Sequence, residues 1–331
     1  MKNKITIVGI NFWPEDTAIG LYTYQLANFY REQGLEVNVI TGFPYYPEWR
    51  INSEYRSKKT YYEESINGIK IYRFKQYVPK KPIFFKRILH LLHFTLGSFI
   101  NLFKIKKTDV VLCVVPFIGC VLIGKFLAKL KGAKLWVHIQ DFEFDAVRDS
   151  NLVDEKTDKN IIFRMLFYVE SKLLNSADLL STISFSMLKK LKGKTKIKIE
   201  KKLLPNWVDQ NFIVPEGYKK HSYLKSDKFK ILYSGNIGEK QDWDFFIKFA
   251  KELDKEKDIQ IIVVGNGSKR YWLEEKLLDL ENIWFYNPVA YSELSDLLCS
   301  ADLHILFQKV NLIDTVMPSK ILARMASKRP S

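Results

Sequence analysis

Apolar runs of strand length alternate with segments of helix length along the whole chain. The clearest strands are predicted at 4–12, 36–42, 109–116, 134–141, 178–184, 229–235, 259–265, 282–287 and 301–307. Most of these runs are continuously apolar, which is typical of parallel strands covered on both faces. Helices are predicted between them, for example at 18–33, 119–131, 160–175, 241–254, 268–279 and 291–299. This repeated order predicts an α/β architecture.

The alternation is interrupted across residues 203–230. This stretch contains two prolines, a glycine and several polar residues, and a fresh strand–helix series begins after it. We therefore predict two Rossmann-like domains facing a central cleft, at 1–206 and 207–331. An insertion at 43–107 interrupts the first domain.

Neither half carries the glycine fingerprint of a dinucleotide-binding domain. Gly9 lies inside the first predicted strand, and Gly20 lies at a helix start. The stretch GNGSKR at 265–270 has the first two glycines, but Arg270 occupies the position of the third. An NAD-dependent enzyme is therefore disfavoured.

The stretch LYSGNIGEK at 232–240 predicts a strand that ends in a glycine-rich loop. Gly235, Asn236 and Gly238 follow the strand, and Lys240 adds a cation. Parallel strands bind ligands at their carboxyl ends, where glycines let backbone N–H groups approach an anion closely. The pattern indicates a phosphate or diphosphate site. The alternative is an ordinary strand–turn–helix connection with a solvated lysine.

A second cationic helix start is predicted within DTVMPSKILARMA, residues 314–326. Pro318 fixes the entry, Ser319 can cap the helix, and Lys320 lies in its first turn. A lysine at this position opposes the helix dipole, so a nearby anion would relieve the conflict. The alternative is a surface lysine that costs about 0.3–1 kcal/mol. Two cationic helix starts in one half together favour a diphosphate.

The stretch KLWVHIQDFEFDAVRDS at 134–150 predicts a strand that runs into an acidic loop. Alternation places His138 near the carboxyl end of this strand. Four carboxylates follow within nine residues, namely Asp141, Glu143, Asp145 and Asp149. Such groups can orient sugar hydroxyls or stabilise positive charge at a reacting carbon. His138, Asp141 and Glu143 are therefore catalytic candidates, and the alternative is a core histidine followed by a solvated acidic loop.

The formal net charge of +15 predicts an anionic partner. Two-thirds of this charge comes from the insertion, where ten Lys or Arg and no Asp or Glu occur between Glu64 and Asp109. The same insertion contains a predicted hairpin whose two-residue turn is Asn67-Gly68.

The basic clusters of the insertion flank ILHLLHFTLGSFINLF, residues 88–103. These sixteen residues are too few for the ~20 that span a bilayer. An apolar helix with basic flanks predicts docking on an anionic membrane surface. A helix buried under basic loops and a nucleic-acid groove are the alternatives, and the leucine-rich centre argues against the groove.

The N-terminus and the cysteines bear on the compartment. The stretch MKNKITIVGINFWP has no small-residue cleavage site, so it predicts a first strand rather than a signal peptide. The three cysteines form no CxxC pair and lie in apolar segments. They are predicted to be buried free thiols of a reducing, cytoplasmic environment.

Seven short motifs, in their order and spacing, resemble those of glycosyltransferase family 4. They are NFWPEDTAIGLYTYQLA, TGFPYYPEW, HIQDFEFD, LPNWVD, YSGNIGEKQ, VVGNG and PSKILARMAS. The chain looks closest to the branch of colanic-acid fucosyltransferase-like and O-antigen fucosaminyltransferase-like proteins. This resemblance implies a retaining hexosyltransferase of the GT-B fold in the biosynthesis of a capsule, an O-antigen or an exopolysaccharide.

The resemblance also implies roles for individual residues. The second half would bind a nucleotide-sugar donor through Gly235, Asn236, Gly238, Lys240, Ser319 and Lys320 at the diphosphate, with Gly265 and Val289 at the base. Gly20 would also face the diphosphate, and His138 would contact the donor sugar. The acceptor would lie near Asp16, Tyr45 and Tyr46, and in this branch it is usually a saccharide linked to a polyprenyl diphosphate.

The chain departs from the family pattern at three places. Of a family pair of glutamates seven residues apart, the second falls on Ala323, and only Asp314 lies near the first. Asn236 replaces a common arginine. The chain stops at MASKRPS, where the family continues, so the C-terminal domain is expected to be truncated. The alternative function is therefore a non-catalytic nucleotide- or membrane-binding subunit.

Together these observations predict an enzyme that transfers a sugar from a nucleotide donor to a lipid-linked saccharide. It would act as a peripheral protein at the inner face of the cytoplasmic membrane. Positioning and cations would assist same-face transfer. No residue cluster requires a cofactor or a metal. A nucleic-acid partner is not expected, because the acidic loop after His138 would repel RNA.

Overall fold

The computed structural model describes residues 3–16, 18–81, 83–142, 159–209, 211–239, 241–309 and 320–331. The chain forms two compact units, Met1–Pro205 and Asn206–Ser331. Each unit has its own sheet, with helices packed against it. The division falls one residue away from the predicted boundary.

The first unit is built on an eight-stranded sheet. Its strands are β1 (Lys4–Val8), β2 (Glu36–Gly42), β3 (Tyr61–Ile66), β4 (Ile69–Phe74), β5 (Val110–Val115), β6 (Lys134–Ile139), β7 (Leu179–Thr182) and β8 (Glu200–Leu203). Their order in the sheet is β3-β4-β2-β1-β5-β6-β7-β8. All neighbouring pairs are parallel except β3 and β4, which are antiparallel.

Helices connect and flank these strands. They are α1 (Ala18–Glu32), α2 (Ser53–Arg56), α3 (Phe84–Leu102), α4 (Gly119–Lys131), α5 (Lys159–Leu174) and α6 (Phe185–Lys194). The sequence did not predict α6, which Ser184 caps by accepting a hydrogen bond from the Met187 N–H at 3.2 Å. The helix buries Met187 and Leu191, but its many lysines obscure this apolar pattern in the sequence.

The predicted hairpin is confirmed. Asn67 (φ 48°) and Gly68 (φ 77°) form a turn with two positive φ angles between β3 and β4, as a two-residue hairpin of this kind requires. Strand β4 also pairs in parallel with β2. The segment 43–107 therefore contributes two strands to the main sheet and is an integral part of the first unit.

A fully buried arginine joins the hairpin to the rest of this unit. Arg73 forms an ion pair with Glu64 and donates hydrogen bonds to the carbonyl oxygens of Gly42, at 3.0 Å, and of Trp13. The hydroxyl of Tyr55 also donates to the Glu64 carboxylate, at 3.1 Å. The charge is buried but satisfied, so its role is structural.

The second unit has a four-stranded parallel sheet. Its strands are β9 (Phe229–Ser234), β10 (Ile259–Val264), β11 (Ile283–Tyr286) and β12 (Leu303–His304), in the order β11-β10-β9-β12. Its α-helices are α7 (Trp243–Leu253), α8 (Arg270–Lys276), α9 (Leu294–Cys299) and α10 (Lys320–Ala326).

The two faces of this sheet carry separate apolar clusters. Ile231 and Tyr233 of β9 belong to the cluster that contains Trp243, whereas Leu232 between them belongs to the cluster that contains Leu297. Successive side chains of a strand point to opposite faces, so a strand that is covered on both sides must be apolar throughout. This packing explains the continuously apolar runs of the sequence.

We expect Arg73→Ala to destabilise the first unit by about 3–5 kcal/mol, because it leaves Glu64 without its buried cation. Urea unfolding followed by circular dichroism measures the change. Lys70→Ala, at an exposed position of the same strand, should stay within about 0.5 kcal/mol of the wild type. Equal unfolding midpoints for the two variants would contradict the structural role of Arg73.

Candidate functional site

The loops that follow β9 and β10 pack tightly against each other. The Ile237 N–H donates to the Asn266 carbonyl at 2.9 Å, and the Lys269 N–H donates to the Ile237 carbonyl at 3.0 Å. A Cβ atom added at Gly265 would lie 1.9 Å from the Gly235 carbonyl oxygen, and one at Gly267 would lie 2.3 Å from that of Ile237. Glycine is therefore needed at 265 and 267 by the close approach of two loops.

Three amides of the first loop already have partners within the protein. The Gly235 N–H donates to the Val264 carbonyl at 2.9 Å, and that of Ile237 is used in the loop contact. The Gly238 N–H donates to the Gln241 side-chain oxygen at 3.1 Å. Glycines in this loop were expected to let backbone amides approach an anion. These three amides do not meet that expectation, because each already donates to an acceptor within the protein.

Gly235 instead makes room for a cation. Its φ is 147°, and an added Cβ atom would lie 2.1 Å from the Lys320 ammonium nitrogen. Only a residue without a side chain lets Lys320 lie against the backbone at the end of β9. The structure thus brings together Gly235, Gly265 and Lys320, three of the residues predicted for this site.

A second cation lies beside Lys320. Arg324 is one helical turn further along α10, is 1% exposed, and donates to the carbonyls of Ile305 at 2.7 Å and Ser234 at 3.0 Å. Both cations lie 5.8 Å from the centre of the Tyr233 ring. In the described part of the chain, neither forms an ion pair with a carboxylate.

Burial makes these charges unfavourable when the site is empty of anions. It lowers the pKa of Lys320 to about 8 and that of Arg324 to about 10, and the two cations repel each other. Burial also raises the pKa of the Tyr233 hydroxyl, which donates to the Asn236 carbonyl at 2.8 Å. Two partly desolvated cations at the carboxyl end of a parallel strand favour an anionic ligand.

The other residues predicted for the donor site lie in nearby loops or outside the described residues. Asn236 is an exposed residue of the loop after β9. Val289 follows β11 and packs against an apolar cluster. Glu143, Lys240, Asp314 and Ser319 lie outside the described residues. The sequence reasoning missed Arg324 and Tyr233. The four-residue spacing of Lys320 and Arg324 on one helix is the signal that could have identified the pair of cations.

His138 lies at the end of β6 in the first unit. The ring is 1% exposed, its Nδ1 lies 2.9 Å from the Ser181 hydroxyl, and its Nε2 lies 3.0 Å from the Gln140 amide nitrogen. Because an amide nitrogen is a donor, Nε2 accepts and Nδ1 carries the ring proton. Burial lowers the pKa of His138 to about 4, so the ring is neutral near pH 7. Asp141 accepts from the Phe142 N–H at 2.8 Å.

A cavity of about 260 Å³ lies beside the loops that follow β1, β2 and β5. Gly20, Tyr45 and Tyr46 line it, as does the buried Glu15, which the sequence reasoning did not single out. Gly20 is required there by packing, since an added Cβ atom would lie 2.7 Å from the Glu15 carbonyl oxygen. Across the described ranges, no group of three or more His, Cys, Asp and Glu is arranged to hold a metal ion.

Helix α3 buries Phe94 and Leu102 together with several polar residues, yet it exposes much of its apolar surface. Its polar residues His90, Thr95, Ser98 and Asn101 are buried against the unit. Five of its apolar residues, Phe85, Leu89, Leu92, Leu96 and Ile100, are exposed, with Leu96 at 71%. The alternative of an α3 buried on all sides is therefore wrong. No helix among the described residues is both long and apolar enough to cross a bilayer.

The exposed strip continues on α4. Phe126 and Leu130 are both 52% exposed, and the Phe126 ring lies 5.3 Å from that of Phe99 on α3. Lys125 and Lys129 of α4 are exposed beside them, and Lys106 and Lys107 are exposed after the end of α3. We call this surface of α3 and α4 the apolar strip.

Comparison with known proteins identifies the family. A family model described as glycosyl transferases group 1 matches residues 228–331. The putative colanic acid biosynthesis glycosyl transferase WcaI of Escherichia coli K12 is 35% identical over 328 residues, which cover 96% of this chain and 80% of the relative. The chain belongs to glycosyltransferase family 4. The resemblance predicted from the seven motifs is confirmed, and the protein is a glycosyltransferase.

Solved structures confirm the GT-B fold of this glycosyltransferase. Sucrose-phosphate synthase from Thermosynechococcus elongatus matches with a TM-score of 0.65 at 12% identity, covering 95% of this chain and 79% of that one. HepE from Anabaena, in complex with UDP and glucose, matches with a TM-score of 0.63 at 12% identity, covering 99% and 79%. At this identity the likeness shows the fold alone.

We expect Lys320→Met to stabilise the glycosyltransferase near pH 7 by about 1–3 kcal/mol, because it removes a desolvated charge. The folded-state pKa is depressed, so the unfolded chain binds more protons between about pH 8 and 10.5. Wild-type stability therefore rises with pH across this window, and the advantage of the variant shrinks. Urea unfolding at pH 7, 8.5 and 10 measures this, with exposed Lys276→Met as the control. A pH-independent difference would contradict the depressed pKa.

Proposed function

We propose that this glycosyltransferase binds the diphosphate of a nucleotide-sugar donor at the cation pair of Lys320 and Arg324. The observation that carries the proposal is this pair, which lies partly desolvated at the end of β9 with no carboxylate ion pair among the described residues. A diphosphate supplies the missing negative charge. The UDP complex of the similarly folded HepE supports a nucleotide as the ligand.

The other predicted donor contacts fit around this position. Gly265 lies next to Gly235 at the ends of neighbouring strands, and Val289 follows the strand beyond them. We assign these two positions to the nucleoside. Lys240, Ser319 and Asp314 remain candidates on the family resemblance.

His138 stays a candidate for the sugar contact on the family resemblance, because both of its ring nitrogens already have hydrogen-bond partners in the first unit. Its low pKa excludes a protonated imidazolium near pH 7. Positive charge near the leaving diphosphate then comes from Lys320 and Arg324, which can stabilise the charge that develops there. Transfer with retention, on the same face of the sugar, is part of this proposal on the family resemblance.

The acceptor in this proposal is a lipid-linked saccharide, and the product enters a surface polysaccharide. The colanic acid assignment of the relative WcaI supports the polysaccharide. The apolar strip supports the lipid, because exposed leucines and phenylalanines beside lysines suit the surface of an anionic membrane. The first unit would hold the acceptor and the second the donor. We place the attachment at the inner face of the cytoplasmic membrane on the family resemblance.

We expect Lys320→Ala to weaken UDP or GDP binding by about 1.5–3 kcal/mol, the size of a lost charge-assisted contact. Wild-type affinity should fall between pH 7 and 9, because Lys320, with a pKa of about 8, must then take up a proton to bind. Isothermal titration calorimetry in buffers of different ionisation enthalpy measures both effects.

The control is Lys276→Ala, which removes an exposed lysine from the same unit and should change neither affinity nor its pH dependence. If UDP and GDP bind Lys320→Ala as tightly as the wild type, the diphosphate does not lie at the cation pair.

We expect the wild type to co-sediment with vesicles of phosphatidylglycerol and phosphatidylcholine. Binding should fall with salt but not to zero, because screening weakens the attraction of the lysines and leaves the apolar contact. Leu92→Glu with Leu96→Glu should abolish it at low salt without unfolding the protein, since both positions are exposed.

A matched control places the same two charges on the second unit. Tyr271 and Leu278 are 89% and 81% exposed, and their double change to Glu should leave vesicle binding intact. Equal losses in the two double variants would mean that net charge, not the apolar strip, governs docking. No binding by the wild type would remove the structural support for a lipid-linked acceptor.

A further inference from the structure

A buried carboxylate faces the cavity of the first unit. Glu15 is 4% exposed and follows β1 in the chain. One of its oxygens accepts hydrogen bonds from the Tyr45 N–H at 2.7 Å and the Tyr46 N–H at 2.9 Å, and the other accepts from the Asn11 side-chain amide at 2.8 Å. These bonds fix the carboxylate between the loops that follow β1 and β2.

The Glu15 carboxylate can accept more hydrogen bonds than these three. Two carboxylate oxygens together offer about four acceptor positions. Oε1 accepts two backbone N–H groups, whereas Oε2 accepts only Asn11 among the bonds formed by the described residues. Within the part of the chain that the structure describes, one acceptor position therefore remains on Oε2, and Glu15 lines the cavity.

Gly20 lets Glu15 pack closely against the start of α1. An added Cβ atom at Gly20 would lie 2.7 Å from the Glu15 carbonyl oxygen and 2.8 Å from the Glu15 Cβ atom. Both residues line the cavity. The absence of a side chain at Gly20 thus allows Glu15 to occupy its position beside the cavity.

The lining of the cavity also contains an aromatic ring and a cation. Trp49 lines the cavity with a φ of 51°, a backbone conformation that is uncommon for a tryptophan. The Arg87 guanidinium lies 5.2 Å from the centre of the Trp49 ring. A mostly apolar cavity with a few fixed polar groups is typical of a site for a small polar molecule.

We propose that the Oε2 oxygen of Glu15 accepts a hydrogen bond from a hydroxyl of the acceptor sugar and thereby positions that sugar in this cavity. The ligand class is a neutral hexopyranoside, whose hydroxyls donate and whose ring can lie against Trp49. The inference rests on the proposed function, in which the acceptor is a saccharide, and it names the residue that orients it.

Protonation of Glu15 would remove this acceptor position. Burial raises the pKa of Glu15 to about 7, against the opposing effect of its three donors. The charge of Arg73 on β4 acts to lower the pKa of Glu15, and Arg87 of α3 lines the same cavity. Burial lowers the pKa of His90 and raises that of Tyr46, so both shifts favour the neutral side chains.

Saturation-transfer NMR tests the proposal with methyl glycosides of glucose, galactose, N-acetylglucosamine and fucose. At pH 8 at least one glycoside should bind the wild type, and Glu15→Gln should raise its dissociation constant at least fivefold. This variant keeps the shape of the side chain, and Asn11 can rotate its amide to remain bonded. Wild-type affinity should fall up to tenfold from pH 8 to pH 6, whereas Glu15→Gln should show no such change.

The matched control is Glu48→Gln, which removes a carboxylate from the same loop as Tyr46 but does not line the cavity. It should bind within twofold of the wild type. If Glu15→Gln fails to fold by circular dichroism, the pH dependence of the wild type and of Glu48→Gln decides.

The proposal is overturned if no glycoside binds the wild type, if Glu15→Gln binds as well as the wild type, or if wild-type affinity is independent of pH. UDP and GDP titrations on the same samples separate this result from a failure of the donor site, because they probe Lys320 in the other unit.

Discussion

A parallel sheet that is covered on both faces buries apolar side chains along its strands. Polar functional groups therefore lie at the carboxyl ends of the strands. Strand β9 shows the constraint, because its alternate residues belong to two different apolar clusters. Lys320 and Arg324 lie at its end, and His138 lies at the end of β6. The Glu15 cavity adjoins the loops that follow β1, β2 and β5. The candidate sites are therefore consequences of how the strands are packed.

Two buried arginines show how the same side chain can serve structure or ligand binding. Arg73 has a carboxylate and two carbonyl oxygens, so its charge is compensated within the fold. Arg324 has two carbonyl oxygens, a neighbouring lysine and no carboxylate ion pair among the described residues. The first arrangement is complete, whereas the second leaves positive charge to be balanced by something that binds. Burial alone does not distinguish them.

Much of the fold was predictable because strand and helix periodicity record which faces are buried. Strands β2, β5 and β9 and helix α4 lie within a residue of their predicted bounds. Strand β1 ends at Val8 rather than at residue 12, because the buried loop after it is as apolar as a strand. Strand β8 was missed since its sequence, EKKL, has no apolar run, which is usual at a sheet edge. The site was predictable at Lys320 but not at Glu15, whose burial depends on a loop thirty residues away.

The exposed apolar surface of helix α3 has a consequence for the protein away from any bilayer. A strip of exposed leucine and phenylalanine side chains on two neighbouring helices lowers colloidal stability. Two copies bury this strip when they associate through it. The lysines along its edges oppose that association by electrostatic repulsion, and salt weakens the repulsion. Solubility in detergent-free buffer should therefore be highest at low ionic strength, the reverse of the salting-in that most charged proteins show.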